Sequence, residues 1–291
     1  MLDGNKIWVG TGNLNAEDGT PENRCYLLLN QANRHGIISG ASGTGKTVTL
    51  KLLAEGFSQA GVPTFMADVK GDVTGMAQAG DDTENIQKRV TKFGIENWSL
   101  RGCPCRFWDM QGGAGIPVRV TVSEMGPTLL ARLLDLTDVQ EGVLNIAFRV
   151  ADDNQLLLID LKDLRSMLNF VAEHNKELET TYGHIAQASV GAILRALIAV
   201  EDQGGDIFFG EPDLDLNDWF ACDANGHGYV NILNAAQLIQ RPAVYSMFLL
   251  WMLSSLFTTL PEVGDPEKPR FVFFFDEAHL LFDGMPKSLT S

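Results

Sequence analysis

Cysteine is scarce in this sequence: four residues in 291, and scattered. The one close pair, Cys103-Pro104-Cys105, lacks the C-x-x-C spacing of a zinc site or a redox dithiol, which excludes a disulfide scaffold, a zinc finger and thioredoxin-like chemistry. Reduced thiols in a cytoplasmic protein are the expectation. Positive charge is also short, because 22 Lys and Arg face 37 Asp and Glu for a formal net charge of −15. Proteins that grip nucleic acid without regard to sequence carry the opposite sign, so any DNA contact must be confined to local loops. The opening MLDGNKIWVG has neither the basic n-region nor the apolar core of a secretory signal. No internal repeat and no low-complexity tract is present.

Long runs that are both uncharged and dominated by apolar residues are almost absent too. The exception, AVYSMFLLWMLSSLFTTL at 243–260, is long enough to be nominated as a membrane span. It lies between two strand-like runs, GYVNILNA and RFVFFFDE. A helix joining two strands of one sheet cannot cross a bilayer, so the segment is read as a helix buried against a sheet, and no membrane partner is expected.

What the sequence does contain is an alternation of elements. Strand-like runs fall at 26–29, 36–39, 62–67, 106–109, 118–122, 156–159, 229–233 and 271–275. Several are continuously apolar, as in strands of a parallel sheet covered on both faces. Helical patterns fall at 46–59, 128–134, 164–174, 185–201 and 242–260. This predicts an α/β fold with a mostly parallel sheet. Residues 1–30 read as a small N-terminal β element, 31–124 and 206–291 as the sheet core, and 125–205 as a helical insertion ending at the turn signal DQGGD.

Within the core, Gly40-Ala41-Ser42-Gly43-Thr44-Gly45-Lys46-Thr47 satisfies G-x-x-x-x-G-K-[ST] between an expected strand and an expected helix. Glycines there let backbone N–H groups turn toward phosphate oxygens, and the helix N-terminus adds partial positive charge. Lys46 is expected to reach the β- and γ-phosphates and Thr47 to hold Mg²⁺ through its hydroxyl. Far along the chain, RFVFFFDEAH places two acids at the end of an apolar strand. Asp276 is expected to bind Mg²⁺, and Glu277 to polarise the attacking water. An acid directly after the metal aspartate favours ATP hydrolysis over a kinase or GTPase. A third segment, MADVKGDVTG, puts Asp68, Lys70 and Asp72 after the second core strand, at the edge where open α/β sheets bind ligands. These three either face nucleotide or a neighbouring subunit, or belong to an ordinary charged loop. A dinucleotide site fails because the glycine spacing is not G-x-G-x-x-G. His35 and His279 read as structural, and Trp98, Trp108, Trp219 and Trp251 form no stacking ladder with basic residues.

Taken together, NRHGIISGASGTGKTVTLKLLAEGF, ADVKGDVTG, the block from VSEMGPTLLARLLDL to LLLIDLKDLR, GGDIFFGEPDLDL and FVFFFDEAHLLFD resemble the bacterial YjgR-like ATPases, a HerA-like branch of the HerA/FtsK superfamily. The resemblance implies a RecA-like core of the catalytic-glutamate type with a helical insertion. It also implies ATP and Mg²⁺ as cofactors and self-association into a ring, a hexamer in the full-length protein. Superfamily members move duplex DNA or peptides through the ring's pore, so double-stranded DNA and a protein partner are both candidate substrates. The family continues well past its catalytic acids. The chain is therefore expected to be C-terminally truncated, with a sensor strand and an arginine finger in the missing part. DEAH alone invites a superfamily 2 helicase reading, which the large insertion between Lys46 and Asp276 and the lack of a second RecA-like domain oppose.

Overall fold

The structure is a computed structural model and describes residues 2–12, 24–96, 98–113, 115–236, 241–260 and 262–276. In chain order it comprises β1 (Leu2–Asp3), β2 (Lys6–Thr11), β3 (Arg24–Leu28), α1 (Lys46–Gln59), β4 (Thr64–Asp68), α2 (Glu84–Lys92), β5 (Cys105–Asp109) and β6 (Ile116–Pro117). There follow α3 (Val122–Met125), α4 (Pro127–Leu133), α5 (Asp138–Asp153), α6 (Leu161–Glu173), α7 (Asn175–Tyr182), α8 (Gln187–Glu201), α9 (Gly205–Phe208), β7 (Val230–Asn234), α10 (Pro242–Thr259) and β8 (Val272–Phe275). Two sheets form: β1-β2-β3, antiparallel, and a five-stranded sheet in the order β6-β5-β7-β4-β8. In the larger sheet β4 pairs in parallel with β7 and with β8, and β5 with β6. Parallel neighbours far apart in sequence, with helices between them, make this an α/β fold.

The chain divides into two compact units. The first takes in Met1–Phe107, Leu216–Asn234 and Glu262–Asp276. Its core holds Ile7, Leu29, Ala54, Phe57, Val62, Met66, Val230, Ile232 and Phe274. Val62, Phe65, Met66 and Ala67 form the fully buried run expected of a strand covered on both faces. Helix α1 approaches β2 so closely that a Cβ on Gly56 would lie 2.6 Å from Ile7 Cγ2. Trp219 stacks on Phe65 at a ring-centroid separation of 4.9 Å, and buried Asn231 donates to the carbonyls of Thr64 and Trp219 at 3.1 Å each. These contacts fill the core and satisfy polar groups that burial would otherwise leave unpaired.

The second unit takes in Trp108–Asp215 and Ala235–Pro261. Helices α5, α6 and α8 pack on one another, and α4 packs on both α5 and α10. Helix α5 buries Val143, Ala147, Val150 and Ala151 at helical spacing. Helix α6 is opened by Asp160, whose carboxylate accepts from the N–H groups of Lys162 and Asp163, while Asp163 accepts from the N–H groups of Ile159 and Asp160. Helix α10, long and apolar enough to span a bilayer by length and composition, is half buried within the fold. Trp108 and Trp251 are buried here, as Trp219 is in the first unit, so these indoles serve packing.

Three expected strands are absent. Residues 36–39 carry no ladder, and Ile37 is 92 % exposed. An apolar run becomes a strand only beside a partner, and among the described residues none pairs with it. Residues 118–122 make a single bridge, Val120 to Phe209, before Thr121 caps α3. Residues 156–159 instead exchange hydrogen bonds with Ser123 and lead into the cap of α6, leaving Leu157 exposed. Strand β8 also differs from expectation: of Val272–Phe275 only Phe274 is buried, because β8 stands at the end of the strand order with β4 as its neighbour.

Candidate functional site

The five-stranded sheet ends, at the C-terminal side of its parallel strands, in a row of polar residues. Asn234 closes β7, Asp68 closes β4, and Asp276 follows β8. Asp68 pairs with Asn234, and Ala67 pairs with Phe275, which puts Asp68 and Asp276 one register step further along. Carboxyl ends of parallel strands are where open α/β sheets bind ligands.

The loop at 40–45 leads directly to this edge. Gly43 and Gly45 take φ of +80° and +95°, conformations open to glycine at little cost, and Gly45 is the N-cap of α1. A Cβ at Gly40 would lie 2.6 Å from Thr44 Oγ1, so a larger residue there would have to displace that hydroxyl. Thr44 Oγ1 donates to the Ala41 carbonyl at 2.8 Å and helps close the loop. Lys46 Nζ folds across the arch and donates to the carbonyls of Gly40 at 2.9 Å and Ala41 at 3.1 Å. Residues 40–44 are exposed, Lys46 and Thr47 half-buried. An exposed glycine loop opening a 14-residue helix, with an ammonium held across it, forms an anion cradle.

Thr47 joins the two halves of the site. Its Oγ1 donates to Asp276 Oδ2 at 3.2 Å, bridging 229 positions of sequence. These two groups bring hard oxygen donors together beside the cradle, the ligand chemistry that suits Mg²⁺. Among the described residues no group of three or more His, Cys, Asp or Glu converges. A magnesium ion there would complete its shell with water and phosphate oxygens, its usual habit beside nucleotides. The residues present thus fit both ATP phosphates and Mg²⁺. Glu277 and His279 lie outside the described residues.

Asp68 is placed at the site edge but faces inward. It is 2 % exposed, and its carboxylate accepts from the N–H groups of Gly71 at 2.8 Å and of Asp72 and Val73 at 3.2 Å. Lys70, in the same loop, is exposed. One further residue, Lys51, belongs to the same edge, and Asp109 makes a similar loop closure in the second unit. Lys51 donates from Nζ to the Asp72 carbonyl. Asp109 accepts from the N–H groups of Gln111 at 2.8 Å and Gly113 at 2.9 Å, closing its own loop as Asp68 does. The signal for Asp109 was available, since WDMQGG repeats the logic of ADVKGD: an acid at a strand end followed by glycine. The signal for Lys51 was its place four residues after Thr47, on one face of α1.

A glycine-rich cradle entering a helix, an aspartate after a parallel strand, and their union through Thr47 define a P-loop NTPase of the α/β class. The chain belongs to the family of HerA-like helicase C-terminal domains, whose model matches residues 13–291. It is a P-loop ATPase domain of that kind. No curated protein sequence matches the chain. Among solved structures it is similar to VirB4 of Thermoanaerobacter pseudethanolicus, with 16 % identity, a TM-score of 0.53, all of this chain covered and 72 % of the other. It is also similar to the unbound bacterial conjugative coupling protein TrwB, at 16 % identity and a TM-score of 0.52, covering 98 % of this chain and 68 % of the other. TrwB in complex with the non-hydrolysable ATP analogue ADPNP matches at 16 % identity and a TM-score of 0.50, over 83 % of this chain and 56 % of the other. At such identities these likenesses describe the fold, which is that of the RecA-like VirB4 and TrwB ATPases.

Proposed function

We propose that this chain binds ATP with Mg²⁺ and hydrolyses it, as the motor core of a ring that translocates or unwinds double-stranded DNA. The observation that carries the nucleotide reading is the contact of Thr47 with Asp276, 3.2 Å, at the mouth of the glycine loop. Residues 40–47 would wrap the phosphates with backbone N–H groups, and Lys46 would exchange its two loop carbonyls for β- and γ-phosphate oxygens. Thr47 and Asp276 would hold Mg²⁺, which when bound neutralises charge on those oxygens. Water attacks the γ-phosphorus, the bond to the β–γ bridging oxygen breaks, and ADP and inorganic phosphate leave. Glu277 orients that water, an assignment resting on its place directly after Asp276 in sequence. An arginine from a neighbouring subunit completes the charge balance. Ring self-association rests on the HerA/FtsK resemblance, and a cytoplasmic setting is supported by four cysteines without a disulfide.

A second reading has one observation in its favour. A net charge of −15 suits a protein-directed switch, whose ATP state governs a protein partner, better than a general DNA grip. ATP turnover with and without double-stranded DNA, beside Lys46→Ala and Glu277→Gln controls, separates the two. A several-fold rise with DNA, lost in both variants, is expected of the motor. Turnover indifferent to DNA yet lost in both variants assigns the switch. Turnover that survives both substitutions removes the site itself from the account, and transfer to an acceptor without phosphate release would make it a kinase.

A further inference from the structure

The loop after β4 is built around a buried carboxylate that the nucleotide reading leaves without a task. Asp68 spends its acceptor capacity on three consecutive backbone N–H groups, those of Gly71, Asp72 and Val73. Gly71 permits the turn with φ of +74°, and Val73, 1 % exposed, anchors the far end in the core shared with Ala54 and Phe57 of α1. Pinned at both ends, the loop presents the Asp72 carbonyl to Lys51 Nζ. Lys51 is four residues beyond Thr47, so the two side chains share a face of α1. That face is therefore held twice at the sheet edge: through Thr47 to Asp276 after β8, and through Lys51 to the loop after β4.

We propose that Asp68 is a positioning residue, acting through the loop at 69–73 and Lys51 to set where the first turn of α1 places the Thr47 hydroxyl against Asp276. The inference rests on the nucleotide reading and deepens it. Asp68 does not touch the nucleotide or the metal. Buried and held by three backbone donors, it serves the loop, and its effect travels as geometry. Removing the carboxylate or cutting the lysine link frees the same rotation of α1, so the two losses belong to one path.

The test uses the full chain and a fluorescent ATP analogue, titrated in EDTA and then with Mg²⁺ at saturating nucleotide, for wild type, Asp68→Asn, Lys51→Met, the double variant and Lys46→Ala. In EDTA, binding by the Asp68 and Lys51 variants should stay within about twofold of wild type, because the phosphate cradle is untouched. The apparent affinity for Mg²⁺ should fall about tenfold in either single variant, the usual scale for groups that orient a ligand. The double variant should lose no more than the worse single, as expected of one path. Unchanged Mg²⁺ dependence in both singles would overturn the proposal, as would losses that multiply in the double. Lys51 is half-buried and outside the apolar core, so Lys51→Met decides the matter alone if Asp68→Asn fails to fold. Lys46→Ala distinguishes the two levels: if it binds nucleotide like wild type, the site reading fails. If it loses binding while the Asp68 and Lys51 variants match wild type, only the positioning role fails.

Discussion

Gly228 shows how little room some single atoms have. A Cβ there would lie 2.3 Å from the carbonyl carbon of Val62 and 2.4 Å from Pro63 N, backbone atoms that cannot swing aside. Its N–H and carbonyl are both bonded to Ser58, at 2.8 and 2.6 Å. Gly228→Ala should therefore cost about 2–3 kcal/mol, the scale of overpacking, read as a lower denaturant midpoint with the same m-value. The cysteines carry a pH prediction. Burial pushes the Cys103 thiol up to about 11 from 9.0, aided by Glu55, and the Cys105 thiol up to about 12, aided by Cys103. Unfolded thiols ionise first as pH rises, so the folded state binds more protons between pH 9.0 and about 11, and stability must fall across that window. Mass spectrometry after alkylation near pH 8 should find exposed Cys25 and Cys222 modified well before Cys103 and Cys105. Equal labelling of all four would contradict this. The phosphate cradle and Asp276 were legible at this scale because their chemistry is written in contiguous residues. The inward turn of Asp68 was not, because a carboxylate in a glycine loop serves a ligand or its own backbone equally well on paper.

At the scale of elements, legibility followed how much of the stabilising contact is local. Helix α1 and strands β4, β5 and β7 were readable, being a long periodic run and largely apolar, partly or fully buried runs. Helix α5 was folded into a generally helical stretch without being delimited, since its register shows only when α4 and α8 cover its buried face. The segment at 36–39 failed as a strand for the opposite reason: its composition suits a sheet, but pairing is a long-range property. Caps are local, and their energies transfer. Asp160→Ala removes acceptors for two N–H groups at the start of α6 and should destabilise the helical unit by about 1 kcal/mol, measurable by chemical denaturation. Phe257, 88 % exposed on α10, is a contrasting site, where Phe257→Ser should leave stability within about 0.5 kcal/mol.

For the whole molecule, acidic charge and a phosphate-binding loop pull in different directions, and the fold accommodates both. Anion affinity is concentrated at one helix N-terminus with Lys46, where partial backbone charges act at short range, while net charge governs distant encounters. The family assignment follows from residues 13–291 as a whole. Lys46, Thr47 and Asp276 are proposed to form one nucleotide site. Calorimetric titration of ATP with Mg²⁺ into the chain and into Lys46→Ala tests it most directly. Saturable binding is expected that requires Mg²⁺ for full affinity and weakens at least about a hundredfold without the lysine, the loss of a charged contact worth about 3 kcal/mol. Equal binding by both proteins, or none by the wild type, would contradict it.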